Sequence, residues 1–180
     1  GPDIEDPACA YAEAKRYAEI LCLLFNHTYG IPVVIARPFT FVGPYQDPDA
    51  GFAVTEFIRD GLRGQPMSIK GDGTQIRSYC YAADLAVALW KVLLRGRVGR
   101  AYNIGSQEPI SILDLARRII AAIGADIEVN VAVKSLPDRK PDRYIPDISR
   151  IKSELNFIPR CVLDESLART IAWVRGSGVV

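Results

Sequence analysis

The 180-residue sequence predicts an α/β protein. Stretches with apolar residues at helical spacing alternate with short runs rich in Val and Ile, the pattern of helices laid against a sheet. One such run, IPVVIARPF, is apolar almost throughout, as a strand of a parallel sheet buried on both faces would be. Clusters of Gly, Pro and Asp punctuate the segments.

Taken in order, residues 8–29 read as one long helix, with Ala14, Ala18, Leu21, Leu24 and Phe25 at helical spacing and Gly30 as its stop. IPVVIARPF follows as a strand with Pro32 at its entrance, and VGPYQDPDAG as a loop. A helix is expected from Phe52 to Arg63, ended by Gly64 and Pro66. MSI is a short strand, and KGDGTQ a turn in which Gly71 and Gly73 permit positive φ. IRSYCY is extended, residues 82–95 form a helix, and RAYNIGS is a strand ending in Gly105. Ser111 and Asp114 make a capping box for SILDLARRIIAAIG. IEVNVAV alternates as a strand, and KSLPDRKPDRYIPDIS is a polar, Pro-rich loop. Helices near 149–155 and 163–175 close the chain.

A helix, a buried strand and a helix, with no strand before the first helix, read as the latter part of a parallel sheet. A strand buried on both faces needs neighbours, so the sequence is expected to be the C-terminal part of a larger protein.

Composition narrows the function classes. Formal net charge is +1 with acids and bases interspersed, so no basic block points to nucleic acid. The longest apolar runs are too short to span a bilayer, and GPDIEDPACA has neither the charge nor the apolar stretch of a signal peptide. Cys9, Cys22, Cys80 and Cys161 are scattered without a C-x-x-C, and His27 is the one histidine. No zinc ligand set can be assembled from them; reduced thiols in a cytoplasmic protein, with no metal, are the expectation. His27 sits late in a helix and is given no role.

YAEAK places Tyr11 and Lys15 four residues apart, on one face of the first helix. Tyr17 and Tyr29 have no such Lys. Alone the spacing is weak, but YAEAK is followed in register by IARPFTFVGPY, FIRDGLRGQPMSIKGDGTQIRSYCYAADLA, AYNIGS and PDRKPDRYIPDIS. In this order the segments, spanning residues 3–175, resemble the extended short-chain dehydrogenase/reductase family. The resemblance is to its NAD-dependent nucleotide-sugar epimerases, dehydratases and decarboxylases in particular.

The resemblance implies the C-terminal part of a Rossmann-type parallel sheet joined to a small mixed α/β substrate-binding domain. Residues 1–43 would be the last helix and strand of the cofactor domain, and 44–180 mainly the nucleotide-sugar-binding domain, with 101–107 a strand returning to the cofactor sheet. The family's G-x-x-G-x-x-G turn is absent from these residues, as are the upstream Ser/Thr and the acidic residues of a dehydratase. The chain is therefore expected to be inactive in isolation. The alternative reading is a non-catalytic sugar-nucleotide-binding or interaction fragment.

By the same resemblance, Tyr11 and Lys15 are the catalytic pair and also touch NAD. A nearby ammonium favours the phenolate, which takes the proton of a sugar hydroxyl as hydride leaves the same carbon. Pro38 and Phe39 would lie against the nicotinamide. Thr40 stands where family sequences often carry Asn, and lacks that amide's paired donor and acceptor. Arg77 and Arg143 match arginines on the nucleotide diphosphate, with Arg139 as understudy to Arg143; a guanidinium fork suits phosphate oxygens. Ser68 and Lys70 fall where the base is cradled, Asn103 near the phosphates, and Phe52 and Ala53 at the helix covering the sugar nucleotide. Asp84 is expected to serve a helix N-terminus or packing. The partners implied are a nucleotide-diphosphate sugar and, through the Tyr11–Lys15 helix with Ala12 and Leu23, a second copy of the chain.

Overall fold

The computed structural model describes residues 5–7, 9–134 and 140–178. Its organising feature is a parallel pair: β1 (Ile35–Pro38) lies beside β6 (Ala101–Ile104), in register from Ile35 with Ala101 to Pro38 with Ile104. Strand alternation sends Tyr102 and Ile104 to one face, where they are fully buried. On that face they meet Leu85, Ala88 and Val92 of α3 (Ala82–Arg95) and Ile151 and Leu155 of α5 (Ser149–Leu155), with Val34 and Ala36 packed alongside. The Tyr102 hydroxyl is satisfied inside this core, donating to Glu154 Oε2 at 2.7 Å and accepting from Arg97 N at 3.0 Å.

A second core gathers α2 (Ala53–Leu62), α4 (Ile112–Ile123) and α6 (Leu163–Ser177) over β3 (Met67–Ile69) and β8 (Val129–Val131), which pair in parallel. Phe57, Leu115, Ile119, Leu167 and Ile171 fill it. β2 (Phe41–Val42) pairs in parallel with β5 (Cys80–Tyr81) where the two cores meet: Val42 and Tyr79 belong to one, Phe41 and Cys80 to the other. A last sheet sets β4 (Ile76–Arg77) between antiparallel β7 (Ile110–Ser111) and parallel β9 (Arg143–Tyr144).

Helix boundaries follow local chemistry. Ser111 Oγ accepts from Asp114 N at 3.0 Å and opens α4, and Gly124 closes it in the left-handed conformation at φ 74°. Of the two turn glycines, Gly73 alone has positive φ (76°).

Two expectations need correction. α1 (Cys9–Tyr29) forms as its periodicity suggests but buries no residue; Ile20, Leu24 and Phe25 are each about half exposed. IPVVIARPF is not a strand buried on both faces, since only Ile35–Pro38 joins a ladder and its residues are half-buried or exposed. Both share a cause: among the described residues β1 has a single strand neighbour, β6, and the buried core of α3 and α5 takes up Val34 and Ala36 but no residue of α1. The Pro-rich loop also hides a strand, β9. Among the described residues, no helix is long and apolar enough to cross a membrane.

Candidate functional site

Tyr11, Lys15 and Glu19 stand four residues apart along α1 and so share one helix face. Lys15 Nζ lies 5.6 Å from the Tyr11 ring centroid, and Tyr11 is 74% exposed. One turn on, the Glu19 carboxylate accepts from Arg37 Nε at 2.6 Å and from Arg37 Nη2. That fork holds the Glu19 carboxyl below its usual range, against a smaller opposing effect of burial. Arg37 directly precedes the last residue of β1, so the ion pair ties the Tyr11–Lys15 face to the C-terminal end of the strand.

There the chain turns through Phe39 and Thr40. Phe39 N donates to Ile104 O at 2.8 Å, and Thr40 O accepts from Cys80 N at 3.0 Å. Gly105 allows the approach that seats Phe39, because a Cβ there would lie 2.7 Å from Pro146 Cγ and 3.1 Å from Phe39 Cβ. Pro38, Phe39 and Thr40 then line a cleft of about 270 Å³ with Gln46, Phe52 and Tyr144. A second cleft, of about 300 Å³, brings together Ala53, Ser68, Lys70 and Arg77, with Glu56 and Gln75 on its walls. The clefts adjoin where Phe52 hands over to Ala53 at the start of α2.

Arg77 arrives on β4 and is held by β9. Its Nη1 donates to the carbonyls of Ile76 (2.9 Å) and Asp142 (3.4 Å), and its Nη2 to Asp142 Oδ2 at 2.8 Å. The guanidinium carbon is 6.0 Å from the Tyr144 ring centroid. The Tyr144 ring in turn stacks on Phe39, centroids 4.7 Å apart and planes 25° from parallel.

Other candidates lie elsewhere. Tyr11 and Lys15 line neither cleft. Arg143 is exposed and pairs in register with Ile76, so alternation sends it to the strand face opposite Arg77, and the two arginines do not converge. Asn103 lines a separate cleft of about 160 Å³ with Arg37, Asp147 and Arg150, its amide donating to Asp147 O at 3.1 Å. Arg139 lies outside the described residues. Asp84 Oδ2 accepts from the backbone of Arg160 and of Cys161, each at 2.9 Å, which is a packing role.

Two other tyrosines are held as neutral phenols. Burial pushes Tyr79 up to about 12, the Arg77 charge acting weakly the other way, and burial likewise raises Tyr102. Among the described residues no group of His, Cys, Asp and Glu could hold a metal ion. Reading the sequence alone missed Glu19, Arg37 and Tyr144. Glu19 had a usable signal, since it continues the Tyr11–Lys15 row by one more turn; Tyr144 had only its place beside Arg143.

Comparison with known proteins sets this geometry in context. The model of the NAD-dependent epimerase/dehydratase family matches residues 2–105. A dTDP-glucose 4,6-dehydratase of Streptomyces niveus is 33% identical over 171 residues, covering 94% of this chain and 49% of that protein. UDP-glucuronic acid decarboxylase 6 of Arabidopsis thaliana is 35% identical over 157 residues, covering 87% of this chain and 45% of its own length. The crystal structure of UDP-glucose 4-epimerase from Thermotoga maritima, with UDP-glucose, superposes with a TM-score of 0.85 at 27% identity, covering 93% of this chain and 53% of that one. The chain thus spans about half the length of these relatives.

Proposed function

The chain belongs to the NAD-dependent epimerase/dehydratase family, and from that premise we propose that it supplies the sugar-nucleotide cleft and the proton-transfer pair of a nucleotide-sugar epimerase or dehydratase. One observation carries the reading: Ala53, Ser68, Lys70 and Arg77, drawn from three separate segments, line one cleft. It opens beside the aromatic cleft of Pro38, Phe39 and Thr40. Lys70 and Arg77 put positive charge where a diphosphate would lie, and the backbone around Ser68 offers groups for the base.

In this reading Tyr11 takes the proton from a sugar hydroxyl, with Lys15 one helical turn on and its Nζ 5.6 Å from the Tyr11 ring centroid. NAD, when bound, supplies the hydride acceptor. Lys15 and Tyr11 would hold its ribose end, and Pro38 and Phe39 would lie against the nicotinamide. Tyr11 is open to solvent, and Pro38 and Phe39 line the aromatic cleft, so these residues are accessible to that end of the cofactor. Glu19 and Arg37 position α1 over β1. Residues 1–43 with 101–107 would form the cofactor side and the rest mainly the sugar-nucleotide side, with α3 and α5 packed beneath the cofactor-side strands. The unburied face of α1, Ala12 and Leu23 included, supports pairing with a second copy.

No Gly-rich phosphate turn occurs in these 180 residues, so the chain alone is expected to bind sugar nucleotides without turning them over. Calorimetric titration with UDP-glucose and dTDP-glucose tests the reading. Binding should weaken about tenfold or more in Arg77→Ala, the usual worth of a charge-assisted hydrogen bond. Unchanged affinity would sink the Arg77 assignment, and sustained turnover by the chain alone would sink the expectation of inactivity.

A further inference from the structure

We propose that Tyr144 is a positioning residue for Arg77, its ring fixing the orientation in which the guanidinium meets a nucleotide diphosphate. The proposal rests on the reading of Arg77 given above. β9 is only two residues long, yet its register sets Tyr144 directly across the ladder from Arg77. A half-exposed tyrosine at the rim of a cleft would ordinarily be free to turn. This ring is seated instead on Phe39, whose backbone N donates to Ile104 O at 2.8 Å at the end of β1. The ring is therefore backed by the residue that follows β1, and the guanidinium lies 6.0 Å from its centroid, at the outer reach of a cation–π contact.

The other neighbours of Arg77 do a different job. Asp142 accepts from Nη2 at 2.8 Å, and the carbonyls of Ile76 and Asp142 accept from Nη1. A carboxylate both orients the guanidinium and competes with an incoming anion for it. An aromatic face orients it without competing. A long arginine side chain loses rotamer freedom when a ligand fixes it, and part of that loss is met in advance where neighbours already restrict the guanidinium plane. Phe39, Tyr144 and Arg77 thus form a chain of contacts joining the two clefts, with Tyr144 as its middle member.

The test is a double-mutant cycle on the full chain, with UDP and dTDP as probes in calorimetry. Tyr144→Ala should weaken both ligands about two- to fivefold, the range of an exposed cation–π contact. Tyr144→Leu, which keeps apolar bulk without a π face, should lose as much. Tyr144→Phe should keep essentially full affinity, and in an Arg77→Ala background the Tyr144→Ala loss should vanish. A Tyr144→Ala or Tyr144→Leu chain that binds as tightly as the parent overturns the positioning role. A loss that persists beside Arg77→Ala, or a Tyr144→Phe chain as weak as Tyr144→Ala, overturns it too. All these outcomes leave the Arg77 reading standing. An Arg77→Ala chain that binds as well as the parent overturns that reading and this inference with it. Circular dichroism on each variant separates weak binding from misfolding.

Discussion

Ser78 sits between two strands, 1% exposed, with a hydroxyl that has no hydrogen-bond partner among the described residues. A buried hydroxyl left unsatisfied is costly, so Ser78→Ala should stabilise the protein by about 1 kcal/mol, read as a higher denaturant midpoint at unchanged slope. A destabilised variant would mean that the hydroxyl is bonded in solution. At this scale the sequence was informative about residue type and silent about direction. Arg77 and Arg143 look equivalent as letters, and only the ladder register reveals that their side chains leave opposite faces. Tyr144 was overlooked for the same reason: its partners Phe39 and Arg77 are more than sixty positions away. Ser68, Lys70 and Arg77 were picked out by family resemblance, and the fold brings β3, the turn after it and β4 to one cleft.

Among elements, α3, α4 and α5 lie where periodicity and capping residues placed them, because their signals are local: a 3.6-residue apolar stripe, Ser111 at one end, Gly124 at the other. β1 and β9 were misjudged because a strand's burial and even its existence depend on what pairs with it. α1 shows the difference most clearly. Its sequence makes a helix, but what holds it to β1 includes a single described ion pair, Glu19 with Arg37. Glu19→Ala should accelerate amide exchange in the middle of α1 by about two- to fivefold, in line with one partly exposed ion pair, and leave α4 unchanged. Exchange in α1 that did not respond would assign the docking of the helix to its apolar contacts instead.

At the scale of the whole molecule, the two cores share the β2–β5 seam, where consecutive residues Tyr79 and Cys80 face different cores. Ile151→Ala in one core and Leu167→Ala in the other each remove a fully buried aliphatic side chain. Each should cost about 2–5 kcal/mol, and both should shift the same single calorimetric transition, because the seam couples the cores. Two separated transitions in either variant would show that the cores melt independently. The β1–β6 pairing has a further consequence, in time. β1 ends at Pro38 and its partner begins at Ala101. At the usual 5–20 residues per second, a ribosome needs about 3–12 s to make the stretch between them. During those seconds Val34, Ile35 and Ala36 are made but lack β6, and a nascent-chain chaperone can bind the edge that β6 later takes.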